Sequence, residues 1–252
     1  MDKQHRERIE RLISSALKFF EVQKIVGTSI REKSKVAYGR LLDGHMLVLG
    51  AINLAIDRKN SIPGNTSPKL SNIFSLSVSF LQGIDVCESL ISDGYYIQAS
   101  AILKQEMETI AAIEECWEGV RKERKTPNVK NVKWNLGRFY GDLNRAAHIA
   151  DKDLLDYLIK MQIDSNRVGA SAVPVFNKEE AKGMYGLHVC LLLLLLFNIH
   201  KLFEEVYGSG LTETEFMGGV AGFDALADEG WLNPDDSYNK TAPAGDRFVR
   251  GG

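Results

Sequence analysis

Apolar residues recur every three to four positions along most of the chain. No stretch alternates apolar and polar residues long enough to read as a strand. The pattern is densest from Gly183 to Tyr207, where Val189 to Phe197 is an unbroken apolar run containing Leu191 through Leu196. Leucine loses little rotamer freedom in a helix, and a helix apolar on every side is buried in protein or in lipid. His188 on one side, and Asn198, His200 and Lys201 on the other, close the run short of the ~20 residues a membrane span needs. A buried core helix is the first expectation, and insertion of Gly183 to Phe203 in a membrane is the alternative. A buried helix of this kind needs neighbours on several sides, which predicts a bundle rather than a layered sheet.

The remaining pattern supplies those neighbours. Residues 4–26 read as a helix with Ile9, Leu12, Ile13, Ala16, Leu17 and Phe20 on one stripe, ended by Gly27-Thr28, and a second helix spans 30–56. Arg58 to Asn72 holds two prolines and a glycine among polar residues and reads as a loop. Helices over 73–92 and 95–119, joined by Asp93-Gly94, are antiparallel neighbours. Pro127 keeps the next segment out of a helix interior. Helices are then expected over 132–149 and 151–164, a loop over 165–177, and the central helix from Lys178. Thr212 and Glu215 suit a capping box for one short last helix, and from Trp231 onward the composition is that of a disordered tail. The expected fold is an all-α bundle of about seven helices around a buried central helix. It divides into a helical hairpin (1–57), a core bundle (73–207) and an acidic, partly disordered C-terminal extension (208–252).

Charge adds a layout. The net charge of the 252-residue chain is −2, so no global polyanion or polycation partner is implied. Met1 to Arg40 nevertheless carries ten Lys/Arg against five Asp/Glu, while Leu202 to Asp246 carries Lys240 against ten acids. Two halves that attract, or two separately solvated faces, both fit. Cys87, Cys116 and Cys190 each fall within an apolar helical pattern and form no CxxC spacing, so buried free thiols are expected. The charged start MDKQHRERIERL is no secretory segment, and an intracellular, cytoplasmic setting follows as the expectation.

Candidate chemistry is concentrated between residues 120 and 148. Arg121, Lys122, Arg124, Lys125, Lys130, Lys133 and Arg138 share that connector with Glu123 as the one acid, and Trp134, Phe139 and Tyr140 follow closely. Cations beside aromatics suit a phosphate backbone with stacked bases, with Trp134 and Tyr140 as the stacking rings. A solvated linker whose aromatics join the core accounts for the same residues. On the next helix Asn144, Arg145 and His148 are neighbours within one turn. His148 as acid or base and Arg145 as an anion-binding group would suit phosphodiester chemistry, and a surface ion pair with a structural histidine would also explain them. Tyr140-x-x-Leu143-Asn144-x-x-x-His148, with Tyr96-x-Gln98-Ala99-x-x-x-Leu103-Lys104-x-x-x-Glu108 before it, resembles uncharacterised prokaryotic helical proteins akin to the HEPN superfamily. The resemblance covers residues 73–207. It implies an all-α, often dimeric bundle, and it usually carries Arg where Lys104 stands. In HEPN nucleases the Arg lies four to six residues before the catalytic His, so Arg145 is too close to His148 and Arg138 too far.

Glu-x-x-His pairs of di-iron bundles do not occur, Glu106, Glu108, Glu114 and Glu115 fit solvated faces, and no phosphate-binding glycine loop is present. No metal site and no cofactor are therefore expected. Phe216, Phe223, Leu226 and Trp231 on the acidic extension could dock on a protein partner or on the basic connector. The sequence thus points to a non-enzymatic, self-associating HEPN-like protein that binds a partner, with nucleic acid as one candidate. The alternatives are a metal-independent ribonuclease using His148 and Arg145, and a membrane-associated protein.

Overall fold

The structure, a computed structural model, describes residues 3–162 and 164–233. In chain order these form α1 (Lys3–Tyr38), α2 (Arg40–Lys59), α3 (Pro68–Ser92), α4 (Tyr96–Glu118), α5 (Tyr140–Ala147) and α6 (Lys152–Ile159). A short hairpin of β1 (Lys160–Gln162) and β2 (Val168–Ala170) follows, then α7 (Lys178–Tyr207) and α8 (Glu213–Asp228). The fold is an all-α bundle, and α7 is its centre. Leu191 to Leu196 are at most 1% exposed, because α1, α2, α3, α4 and α8 all pack on this helix. Each such leucine contributes roughly 1.5–3 kcal/mol through burial, so the run that most resembles a membrane span anchors the core. By length and composition both α3 and α7 are apolar enough to cross a membrane. The outward face of α3 carries Ser75, Ser79, Gln82 and Asp85 together with the exposed Val78 and Val86.

The first two helices depart from the expected boundaries. Gly27 does not end α1, which runs on to Tyr38. A glycine inside a helix costs only about 1 kcal/mol, and here a Cβ would press on the Asp93 side chain. The break falls at Gly39, whose φ of 55° favours glycine, and where a Cβ would collide with the Glu229 carboxylate. There α1 and α2 meet at 95°, so the expected hairpin is an elbow.

The acidic α8 packs along α2, and charge contributes to that docking. Arg58 grips Glu215 with two hydrogen bonds of 2.9 and 2.7 Å, Arg40 pairs with Asp228, and the Arg40 N–H donates to Glu229. Of the basic front, Arg40 alone among the described residues pairs with the acidic segment, while the cations of residues 3–22 stay exposed. The Thr212–Glu215 capping box is present.

Three further differences have local causes. α3 begins at Pro68, where proline at the first turn lacks only an N–H that has no helical partner, and Ser67 caps Leu70 N–H. The expected helix over 132–149 is shortened to α5. Residues 129–131 and 133–139 wind as 3-10 turns, with Trp134 and Asn135 at φ of 58° and 53°. The helix expected to reach 164 gives way at Lys160 to the hairpin, three residues a side, too short to show as alternation. At the C-terminus, Trp231 and Leu232 belong to the core rather than to a tail. Leu232 is buried, and the Trp231 ring lies over Gly186 and 5.7 Å from Phe139. The tail from residue 234 lies outside the described residues.

Candidate functional site

The connector between α4 and α5 divides into two kinds of cation. Lys122, Arg124, Lys125, Lys130 and Lys133 are exposed and form no ion pair with any described residue. Arg121 is committed inward, to Glu115 at 3.2 Å and to the Lys125 carbonyl, and Arg138 packs its guanidinium 4.5 Å from the Phe139 ring. The aromatics are also committed. Trp134 is half-buried edge-on against Phe197 and Phe223, so the expected stacking ring serves the α7–α8 packing. The Tyr140 hydroxyl donates to Glu108 at 2.5 Å, and burial with that carboxylate pushes the phenol up to about 12.

α5 lies on α4 and brings the two motif segments together. Lys104 Nζ donates to His148 Nε2 at 3.3 Å, approaches Glu108 at 3.7 Å and sits 5.9 Å from the Tyr140 ring. His148 follows the last turn of α5 and is exposed. Arg145, the other expected catalytic residue, is held by Asp142 and by Asp151 at 3.1 Å. Its charge is compensated twice, and the cation that reaches His148 is Lys104.

A second polar cluster lies in the bundle centre. His188 (0% exposed) donates from Nδ1 to Glu106 Oε2 at 2.9 Å. His45 Nδ1 hydrogen-bonds with the Tyr185 hydroxyl at 2.9 Å, and Tyr38 stacks on Tyr185 at 3.7 Å. Cys87 completes the set: its sulfur, a Glu106 oxygen and a His188 nitrogen lie within 4.8 Å of one another. Burial and the adjacent Glu106 carboxylate push the Cys87 thiol well above its usual range. Burial, with His188 second, lowers His45 to about 3, so its ring is neutral.

No protein-family model, curated protein or solved structure matches this chain. Glu106, expected on a solvated face, is 3% exposed. The signal was available, because Glu106 sits on the stripe of Leu103, Met107, Ile110 and Ile113, and a carboxylate on a core stripe needs a buried partner. His45 and His188 lie on such stripes too, but which stripes face one another is settled by packing across α2, α4 and α7. All three cysteines are buried and free.

Proposed function

We propose that this chain is a non-enzymatic, self-associating helical protein whose docking element is the first part of α1, and whose partner there is a second copy. The observation that supports this reading is the exposure of residues 3–22 all round the helix. Leu12, Leu17 and Phe20 are 72%, 64% and 65% exposed. Ile9, Ile13, Ala16, Phe20 and Gln23 follow a four-three spacing that continues through Gly27, Ile30, Ser34 and Ala37, the positions that the bundle buries. One stripe is thus covered along its second half and uncovered along its first, over about 20 Å at 1.5 Å per residue. Its flanks mix Arg6, Arg8, Arg11 and Lys18 with Glu7, Glu10 and Glu21, a pattern that complements itself across a two-fold axis.

Sedimentation of the full chain at tens of micromolar is expected to give a dimer or larger assembly. A Leu17→Glu/Phe20→Glu variant is expected to sediment as a monomer with unchanged helicity. A parent chain that stays monomeric would sink the reading. Retention of that monomer on lipid vesicles would assign the stripe to a membrane surface instead.

The geometry also favours a second reading, an anionic polymer such as RNA, with Lys104 in place of Arg145 beside His148. Five unpaired cations on one connector support it. Five phosphate contacts imply a slope of log affinity on log salt near −3.5, or about a hundredfold loss between 50 and 200 mM salt. Filter retention of labelled RNA, with and without EDTA, is the measurement. Loss of that slope on replacing the five by Gln supports a binding site. EDTA-resistant cleavage lost in His148→Ala and Lys104→Ala moves it to a nuclease. Neither retention nor cleavage removes nucleic acid from consideration.

A further inference from the structure

The buried cluster has the composition and the vacant valences of a metal centre. Cys87 comes from α3, Glu106 from α4, His188 from α7, and His45 stands beside His188 from α2. All four are 4% exposed or less. Three of their polar atoms, Glu106 Oε1, His188 Nε2 and His45 Nε2, meet no hydrogen-bond partner. Leaving one such atom buried and unpaired costs about 1–3 kcal/mol, so the cluster calls for an occupant. We propose that Cys87, Glu106 and His188 bind one divalent ion of zinc-like chemistry in the bundle centre, with His45 as the adjacent fourth donor.

The donor set fits that ion. Sulfur, imidazole nitrogen and carboxylate oxygen are the ligands zinc takes, at about 2.0–2.3 Å in a tetrahedron. That geometry needs donor–donor separations of roughly 3.3–3.7 Å, a modest closing of a set already within 4.8 Å. The histidines are prepared for the role. His188 offers Nδ1, which Glu106 Oε2 holds at 2.9 Å and an ion between them would take over, while Tyr185 holds His45 by Nδ1 and leaves its Nε2 to bind. The His45 ring centroid lies 5.3 Å from that of His188, so His45 borders the three-donor set and is placed to join it as the fourth donor.

Charge points the same way. A thiolate and a carboxylate cancel a divalent cation, and two neutral imidazoles add nothing, so the centre is neutral in a region where an uncompensated charge is costly. A cysteine binds metal as its thiolate, so the ion displaces a proton and binding weakens as pH falls. A buried water bridging the same atoms is the competing occupant, and it needs neither the sulfur nor a second histidine.

The test is metal analysis of the full chain purified without chelator, followed by Co²⁺ titration of chelator-treated protein. About one ion per chain is expected, with a near-ultraviolet thiolate-to-cobalt absorption. Cys87→Ser is expected to abolish that absorption, and Cys116→Ser to leave it. His188→Gln is expected to abolish binding, and His45→Asn to weaken it ~10–100-fold. A parent chain of native helicity that binds less than about 0.1 equivalents of added Zn²⁺ or Co²⁺ overturns the proposal, whether or not the variants fold. So does cobalt binding that lacks the thiolate absorption.

Discussion

Replacing Glu180 by Gln is expected to remove a loss of several kcal/mol that this one carboxyl contributes between pH 5 and 8, seen as the difference between the pH profiles of parent and variant. Glu180 stands in the first turn of α7, is 1% exposed, and neither oxygen has a well-formed hydrogen bond. Burial, then the negative charges of Asp142 and Glu179, push its carboxyl from the ordinary 4.5 to about 8, partly offset by the Tyr157 hydroxyl. The folded chain therefore keeps a proton that the unfolded chain releases near pH 4.5. The folded state is fully favoured below that value and loses stability as pH rises towards 8, by at most about 1.4 kcal/mol per unit and up to about 5 kcal/mol across the window. Glutamine keeps the shape and cannot ionise. Urea midpoints of parent and variant at pH 5 and pH 8 measure the effect. Parallel pH profiles for the two chains would show that Glu180 is ionised at little cost in the folded state.

Substituting Gly218 by Val is expected to destabilise the chain by about 3 kcal/mol or more, and by Ala by roughly 1–3 kcal/mol. α8 crosses α2 through Gly218 and Gly222 on one side and Gly44 on the other. A Cβ at Gly218 would stand 2.8 Å from both the Leu47 carbonyl oxygen and the Ala51 Cβ, and one at Gly44 would stand 2.9 Å from Ala225 Cβ. Alanine gains about 1 kcal/mol of helix propensity over glycine, but a backbone carbonyl cannot step aside without separating the two helices. Gly50 is the control. It is exposed on α2 with nothing within 4 Å, so Gly50→Ala keeps only the propensity gain and should stabilise by about 0.5–1 kcal/mol. Denaturant midpoints decide the pair. A Gly218→Ala chain as stable as the parent would mean that α8 rides on α2 loosely enough to admit a methyl group.

The two substitutions mark where reading the chain alone stops. Gly50 and Gly218 look alike in sequence, each a glycine within a helical stripe, and only the crossing of α8 on α2 separates them. Glu180 and Glu106 likewise resemble the other acids at helical positions. One heads the central helix under Tyr157 and Asp142, and the other faces His188 across the core. The connector was legible as basic, and five of its seven cations are exposed. That Trp134 turns inward to Phe197 and Phe223 depended on two consecutive left-handed residues, of which asparagine favours that region and tryptophan does not. Lys104 beside His148 was legible only as two separate motif segments until α5 was laid on α4.

The sequence by itself determined the all-α class, the central position of Leu191 to Leu196, the capping box at Thr212, the buried free cysteines and the presence of a basic front and an acidic end. These follow from local periodicity, side-chain chemistry and net charge, which need no knowledge of neighbours. The tertiary structure decided which stripes meet. It placed the elbow at Gly39 instead of Gly27, left the start of α1 uncovered, and gathered Cys87, Glu106, His188 and His45 from four helices at one point. The reason is physical: a helix's own sequence sets which of its faces is apolar, but the partner of a buried polar atom is set by helices far away in the chain.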